Sequence, residues 1–255
     1  GSKSHEEFTA VTHASRELLI AYSQFEKRKN EAFKTDTELY KRREDSTSIW
    51  AGRLLRFLVE QVNYSGSLVL PYFASEWIKS EDIQNMESFI NGLNPEARGS
   101  VYAQYCEKAL KQAKKVQPGN SAYDFMLQDI EGKEYCLSDF RGSYVLLEFS
   151  ASWCGWCKKE IPFIRKAYHA LKDKNITFVT LMMDDKKEAW LHEIEAFDIE
   201  WLSLSDLKGM RNSPLTKAYN LGGIPDSFVV DPEGRIVCRD LRGDEVLERL
   251  SALCN

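Results

Sequence analysis

The stretch that decides the fold of this chain is Ser150-Ala151-Ser152-Trp153-Cys154-Gly155-Trp156-Cys157-Lys158-Lys159-Glu160. It holds two cysteines with two residues between them, directly after the apolar run 144–149. Such a pair can be half of a metal site, a static crosslink or a redox couple. Each alternative makes a different demand on the rest of the sequence.

The metal and crosslink alternatives are the weaker two. Structural zinc usually takes four protein ligands, and the sequence has no second Cys-X-X-Cys and no ligand-like pairing among His5, His13, His169 and His192. A static disulfide across so short a loop would be strained. The pattern therefore favours redox chemistry, and we expect neither a metal site nor a cofactor.

The pair falls between a predicted buried strand, 144–149, and a predicted helix, 155–171. This position places Cys154 at the helix N-terminus, where free N–H groups and the helix dipole favour a negative charge. The thiolate is the reactive form of cysteine, so the position activates the sulfur. Cys157 is expected one turn into the helix, near enough to close a disulfide.

Two further residues sharpen the redox hypothesis. Glu148 is an acid within the apolar strand, six positions before Cys154. A buried carboxylate costs several kcal/mol unless it has a role or a partner, although Glu148 could also face water from an edge strand. Pro225 precedes another predicted strand and is either a turn residue or a cis-proline that presents backbone beside the cysteines.

The first part of the chain has a helical pattern. Apolar residues recur at helical spacing over 17–25 and 49–62, and two more helices are predicted over 75–89 and 95–116. Asn94 followed by Pro95 is a typical helix start, with Asn94 as the cap. We predict a helical N-terminal domain of unknown role over 1–117, ending in a linker at 117–120.

The remainder predicts an α/β domain over 118–255. A β-hairpin is predicted from 125–130 and 133–137, and further strands at 144–149, 176–183, 200–204, 227–230 and 235–238. Helices are predicted at 155–171, 186–197 and 244–253, with a helical turn at 215–219. This order predicts a central mixed sheet covered by helices.

Composition excludes some classes of protein. The formal net charge is −5, and basic residues are scattered among acids, so we expect no nucleic-acid binding. No apolar run approaches the length of about 20 residues that crosses a bilayer. The opening Gly1-Ser2 is typical of a cloning remnant, which is compatible with a removed targeting segment.

The other four cysteines are Cys106, Cys136, Cys238 and Cys254. The sequence does not decide whether Cys136 and Cys238 form a disulfide.

The segments WCGWCKKEIP and GIPDSFVVDPEGRIV, with Glu148 upstream, resemble the thioredoxin superfamily. Within it, the likeness is to the TlpA/ResA-like, AhpC/TSA-related thiol–disulfide oxidoreductases, and it covers about 120–255. The resemblance implies that 118–255 has a thioredoxin-like fold, a central mixed sheet flanked by helices with an N-terminal β-hairpin extension. The resemblance implies that Cys154 attacks, that Cys157 resolves, and that Glu148 exchanges protons with the resolving thiol.

The resemblance also assigns the substrate surface. It makes Pro225 the cis-proline, with Ile224 offering its backbone to an extended substrate, and it adds Trp153 and Trp156 to the substrate-binding residues. Trp156 stands where relatives often have proline, so the redox potential stays open. Asp226 stands where threonine is common, and is either a carboxylate in the substrate groove or a solvated residue.

The resemblance further implies partners and a location. We expect protein disulfide or dithiol substrates, a membrane or envelope electron donor or acceptor, and a bacterial periplasmic or envelope protein anchored through the removed N-terminal segment. Two alternatives stay open. One is a peroxiredoxin-like peroxidase, although 150–153 lacks the proline of a Pro-X-X-X-Thr stretch. The other is a module that binds a partner, or a second copy, through its helical N-terminal domain and has a secondary redox role.

Overall fold

The computed structural model describes residues 83–254 and five isolated helical positions, Thr9, Ile20, Ser23, Gln24 and Lys27. The chain divides into two units, Gly1–Lys114 and Lys115–Asn255. The helices predicted over 17–25, apart from isolated positions, and over 49–62 lie outside the described residues, as does the first part of the helix predicted over 75–89. The helical domain predicted over 1–117 stays a prediction.

The described part of the first unit consists of α1 (Ile83–Gly92), α2 (Pro95–Arg98) and α3, which spans Val101–Lys115. The predicted cap is confirmed, because Asn94 Oδ1 accepts a hydrogen bond from the Ala97 amide at 2.7 Å. The single helix predicted over 95–116 is wrong. The chain leaves the helix after Arg98, and the Ser100 hydroxyl oxygen starts a new one by accepting from the Ala103 amide at 3.1 Å.

The second unit alternates strands and helices along the chain. Its elements are β1 (Met126–Gln128), β2 (Glu134–Cys136), a 3₁₀ helix (Leu137–Phe140), β3 (Tyr144–Ser150), α4 (Cys157–Leu171), β4 (Ile176–Met182), α5 (Lys187–Ala196), β5 (Leu202–Ser205), α6 (Gly209–Asn212), α7 (Pro214–Ala218), β6 (Asp226–Val230), β7 (Ile236–Arg239) and α8 (Glu245–Leu253).

The strands form one seven-stranded sheet in the order β2-β1-β5-β4-β3-β6-β7. Strands β3, β4 and β5 are parallel, whereas β6 pairs antiparallel with β3, β7 with β6, and β1 with both β2 and β5. The predicted mixed sheet flanked by helices is therefore confirmed.

Strand β3 lies at the centre of the core because both of its faces are covered. One face packs with Phe228 and Tyr219 in a cluster that includes both cysteines of the Cys-X-X-Cys pair. The other face packs against α4 and α8, through residues such as Ile164 and Leu250. Each large apolar side chain buried in this way stabilises the fold by about 1.5–3 kcal/mol. The continuous apolar run of β3 is thus the expected pattern for a strand without a solvent face.

The predicted linker at 117–120 is partly wrong. The Gly119 amide donates to the carbonyl oxygen of Ile236, and the Ile236 amide donates to that of Asn120, both at 2.8 Å. Ala122 continues the contact with a 2.9 Å hydrogen bond to Gly234. These residues pair with β7 because the edge of a sheet leaves backbone groups that need partners.

The structure also decides two smaller questions. Cys136 on β2 and Cys238 on β7 lie at opposite edges of the sheet, and both are free thiols, so a bridge between them is ruled out. Across the described residues, no helix combines the length and the apolar character that crossing a bilayer requires.

Candidate active site

The two cysteines of the quoted stretch form a disulfide in the turn between β3 and α4. Their Sγ atoms are 2.14 Å apart and their Cα atoms 5.3 Å apart. The Cys154 amide donates to the Ala151 carbonyl oxygen at 2.9 Å, which closes the turn. Helix α4 begins at Cys157 itself. The expectation that Cys157 lies one turn inside the helix is therefore wrong, since Gly155 and Trp156 complete the turn before the helix starts.

The sulfur of Cys154 nevertheless faces the start of the helix. The Cys157 amide donates to Cys154 Sγ at 3.1 Å, so one of the free N–H groups at the helix N-terminus points at the sulfur. This contact favours negative charge on Cys154 when the disulfide is reduced. Cys154 retains 4% of its surface, whereas Cys157 retains none, so Cys154 is the sulfur on the solvent side.

The loop before β6 brings a second backbone group to the same sulfur. The Ile224–Pro225 peptide bond is cis, as one of the two sequence interpretations expects. The Ile224 carbonyl oxygen lies 3.6 Å from Cys154 Sγ, although the two residues are 70 positions apart in sequence. Gly222 and Gly223 are exposed beside them, so the loop leaves backbone open to solvent next to the sulfur.

The two tryptophans of the motif differ in exposure. Trp153 keeps 61% of its surface and projects into solvent directly before Cys154. Trp156 is half-buried and packs against the core cluster that contains the cysteines, with the Lys159 ammonium 5.1 Å from the centre of its ring. An exposed aromatic side chain thus lies next to Cys154 in the sequence, and the predicted substrate contacts of Trp153 and Trp156 stay a prediction.

Glu148 is buried in the middle of the sheet. It pairs with Thr180 on β4 and Ser227 on β6, so the alternative of an exposed edge-strand acid is wrong. Thr180 Oγ1 donates to Glu148 Oε2 at 3.1 Å, while Oε1 is buried without a hydrogen-bond partner. Burial raises the pKa of Glu148 to about 7, against the opposing effects of the Thr180 hydrogen bond and the Arg242 charge. The carboxyl can therefore accept and release a proton near neutral pH.

Sequence reasoning missed a second buried acid, Glu160. It lies three positions after Cys157 on α4 and therefore on the same helix face. Its Oε2 accepts a 2.8 Å hydrogen bond from the Gly243 amide. Glu160 and Glu148 line one small cavity beneath the site, together with Pro225. The sequence feature that could have identified Glu160 is an acidic residue on the apolar helix face that also carries Ile161 and Ile164.

A second missed feature fixes the turn before Cys154. Asp184, buried just beyond the end of β4, accepts hydrogen bonds from the Ser152 hydroxyl at 2.6 Å and from the Ser152 amide at 3.0 Å. The contact joins residues 32 positions apart. No local pattern in the sequence pairs them.

Both readings of Asp226 are wrong. The side chain is buried, so it is neither a solvated residue nor a carboxylate in the substrate groove. Its Oδ2 pairs with Arg239 Nη2 at 2.6 Å. Burial raises the pKa of Asp226 to about 6, with the Arg239 charge acting against the rise.

A metal centre finds no support in the described part of the chain, where no group of three or more His, Cys, Asp or Glu side chains is arranged to hold an ion. With the disulfide and the cis-proline loop together, the geometry is that of a redox pair beside an open backbone edge.

Known proteins share this half of the chain. The AhpC/TSA family matches residues 118–239. The thiol-disulfide oxidoreductase ResA of Bacillus thuringiensis (strain Al Hakam) is 30% identical over 136 residues, which are 53% of this chain and 76% of that protein. ResA of Geobacillus kaustophilus is 31% identical over 121 residues, covering 48% of this chain and 67% of ResA.

Solved structures of similar proteins match the same half of the chain. The thioredoxin domain of a thiol-disulfide oxidoreductase from Bacteroides vulgatus superposes with a TM-score of 0.52 at 33% identity, covering 55% of this chain and 99% of that one. A thiol:disulfide interchange protein from a Bacteroides species gives 0.51 at 33% identity, covering 55% and 92%. The likeness lies in the half that carries the disulfide. The chain therefore belongs to the TlpA/ResA-like branch of the thioredoxin superfamily and is a thioredoxin-like thiol–disulfide oxidoreductase.

Proposed function

We propose that this oxidoreductase exchanges disulfides with protein substrates through Cys154 and Cys157. The observation that carries the proposal is the 3.6 Å distance between Cys154 Sγ and the Ile224 carbonyl oxygen. An extended substrate segment can hydrogen-bond to the backbone of this loop as an added strand, which holds its own disulfide beside the sulfur. Trp153, exposed directly before Cys154, offers apolar surface to such a segment.

The first step starts from the reduced enzyme. The Cys154 thiolate, stabilised by the N-terminus of α4, attacks one sulfur of the substrate disulfide. A bond forms between Cys154 and that sulfur, the substrate S–S bond breaks, and the other substrate sulfur leaves as a thiolate. Cys154 takes this role because Cys157 is completely buried.

The second step resolves the mixed disulfide. Cys157 gives its proton to Glu148, whose pKa near 7 suits an acceptor at neutral pH. The Cys157 thiolate then attacks Cys154 Sγ, the bond between Cys154 Sγ and the substrate sulfur breaks, and that sulfur leaves as a thiolate that takes up a proton. The new bond is the intramolecular disulfide that the structure contains. The substrate leaves as a dithiol, having gained two electrons from the enzyme, and a dithiol donor must reduce the enzyme again. The same steps in reverse oxidise a dithiol substrate.

Variants of the two cysteines test the proposal. In a protein-disulfide reduction assay with a dithiol donor, Cys154→Ser should abolish exchange, and Cys157→Ser should accumulate mixed disulfides that reducing agent releases. Cys136→Ser is the control, because that thiol lies on the edge strand β2. Exchange retained in Cys154→Ser would overturn the proposal.

The proposal extends to location and partners. The TlpA/ResA resemblance supports a bacterial envelope protein with an envelope electron donor or acceptor. Fractionation of cells that produce the native gene product tests the location, and the Cys157→Ser variant can capture the recycling partner in the same cells. Association through the region 1–117 is tested by the mass of the full chain in solution.

A peroxidase is the alternative within the same AhpC/TSA family, which matches this chain. Because Cys154 has a partner cysteine in the next turn, we expect disulfide exchange to exceed peroxide consumption by the reduced enzyme. Peroxide turnover that is faster than exchange and depends on Cys154 would favour the alternative.

A further inference from the structure

Arg242 lies in the loop between β7 and α8 and is mostly buried, with 13% of its side chain exposed. Its Nη2 donates to the carbonyl oxygen of Pro225, and its Nη1 donates to that of Leu241 at 2.8 Å. Nη2 also pairs with Asp240 Oδ1 at 2.5 Å. One guanidinium thus holds the backbone of the cis-proline and the loop that follows β7.

The same side chain shares a cavity with the buried acids. Arg242 lines the small cavity beneath the active site together with Glu148, Glu160 and Pro225, and it is the one basic residue among those lining it. Its neighbour Gly243 donates to Glu160, so the loop contacts this acid through backbone as well. The Arg242 charge opposes the effect of burial on Glu148, whereas the Glu160 charge adds to it.

We propose that Arg242 is a positioning residue of the exchange reaction, holding the cis-Pro225 carbonyl and the buried carboxyls of Glu148 and Glu160 around one guanidinium. The inference rests on the proposed function. Arg242 would then couple the Ile224–Pro225 loop, which receives the substrate, to Glu148, which accepts the Cys157 proton.

The physical reason is the cost of two acids in one buried site. Neighbouring carboxyls resist simultaneous ionisation, so a cation beside them decides how readily one takes up charge. The groups whose hydrogen bond or charge acts on Glu148 are Thr180 from β4, Glu160 from α4, Glu193 from α5 and Arg242. Among these four, Arg242 is the one cation. An arginine suits the position because its planar fork can bond a carbonyl and still present charge to a carboxylate.

The test compares Arg242→Met with Arg242→Lys. Met keeps the apolar stem but removes the charge and the donors. We expect the pH midpoint of mixed-disulfide resolution to rise by about one unit in Arg242→Met, together with a several-fold higher KM for an extended disulfide peptide. Lys should restore most of the pH midpoint but not the KM, because it keeps the charge without the fork. Carboxyl ¹³C titration of Glu148, assigned with Glu148→Gln, should show the same upward shift.

A matched control is Arg239→Met. Arg239, the last residue of β7, is also largely buried, but it pairs with Asp226 and is not among the groups acting on Glu148. This variant should lower stability without moving the pH midpoint of resolution.

The outcomes separate the two proposals. A folded Arg242→Met protein with the wild-type pH midpoint and KM would overturn the inference. Where Arg242→Met does not fold, Arg242→Gln and Arg242→Lys carry the test, since Gln keeps a donor for Pro225 without the charge. If the wild-type protein shows no Cys154-dependent exchange, the proposed function fails, while an unshifted Glu148 titration contradicts the role of Arg242 by itself.

Discussion

The Thr180 hydroxyl donates to the Glu148 carboxylate at 3.1 Å and accepts from the Trp201 indole N–H at 2.9 Å. Thr180 and Glu148 stand directly opposite each other in the parallel strand pair β3–β4. The chain of hydrogen bonds holds one carboxylate oxygen of Glu148 and leaves the other without a protein donor. A carboxyl held in this way is orientated by the sheet rather than by the helix that carries Cys157.

Glu148→Gln should make the protein more stable at alkaline pH. The native pKa of Glu148, about 7, is above its ordinary value of 4.5, so its contribution to stability is complete below about 4.5 and is lost as the pH rises through 7. Glutamine does not ionise, so the variant should gain on the order of 3 kcal/mol relative to wild type above pH 8. Urea unfolding at pH 5 and pH 8.5 measures the difference. The exposed Glu233→Gln is the control, and an equal effect at both pH values would contradict the prediction.

Thr180→Val should be destabilising and should raise the Glu148 pKa. The valine has the right shape, but it leaves a carboxylate oxygen and the Trp201 N–H without their partner. Each unsatisfied buried group costs about 1–3 kcal/mol. Thr177→Val on the same strand removes only a long 3.4 Å contact with Ser143 and serves as the control. Denaturant midpoints of the two variants should differ clearly, and similar midpoints would show that the hydrogen-bond chain is weak.

Asp184→Ala should loosen the turn that carries Cys154. The loss of charge-assisted hydrogen bonds to Ser152 should cost about 2 kcal/mol of unfolding free energy. Ser152→Ala removes the hydroxyl but not the amide donor, so we expect a smaller loss. In a double-mutant cycle the two losses should not add, since they share the contact. Asp185→Ala, at the exposed neighbouring position, should have little effect, and additive losses would mean that the contact contributes nothing.

The Asp226–Arg239 pair should act on stability and not on the choice of substrate. Asp226→Leu alone leaves a largely buried arginine without its acid, which should cost about 3–5 kcal/mol. Adding Arg239→Met should recover most of this loss, because an apolar pair of similar volume can replace a buried ion pair. Thermal unfolding measures both effects. Because Asp226 is buried, Asp226→Asn should leave the ratio of rates on acidic and basic disulfide peptides unchanged, and a changed ratio would place the residue in the groove after all.

Much of the redox domain follows from local patterns. Apolar runs identify β3 and β4, helical spacing identifies α4 and α8, and the Cys-X-X-Cys position between a strand and a helix locates the disulfide. These features depend on neighbours within one or two turns, and a linear sequence displays such neighbours directly. The helix over 95–116 is the local exception, since the break at Gly99 and Ser100 depends on a serine cap within an otherwise continuous pattern.

The tertiary structure alone decided which distant groups meet at the sulfur and beneath it. The Ile224 carbonyl reaches Cys154 because β6 lies beside β3. Arg242 shares a cavity with Glu148 because the loop after β7 contacts α4 through the hydrogen bond from Gly243 to Glu160. Asp226 pairs with Arg239 because β6 and β7 form an antiparallel hairpin that brings the two side chains together. Sequence periodicity states which face of an element is apolar but not which element covers it. The order of the strands in the sheet therefore decides the partners of every buried charge.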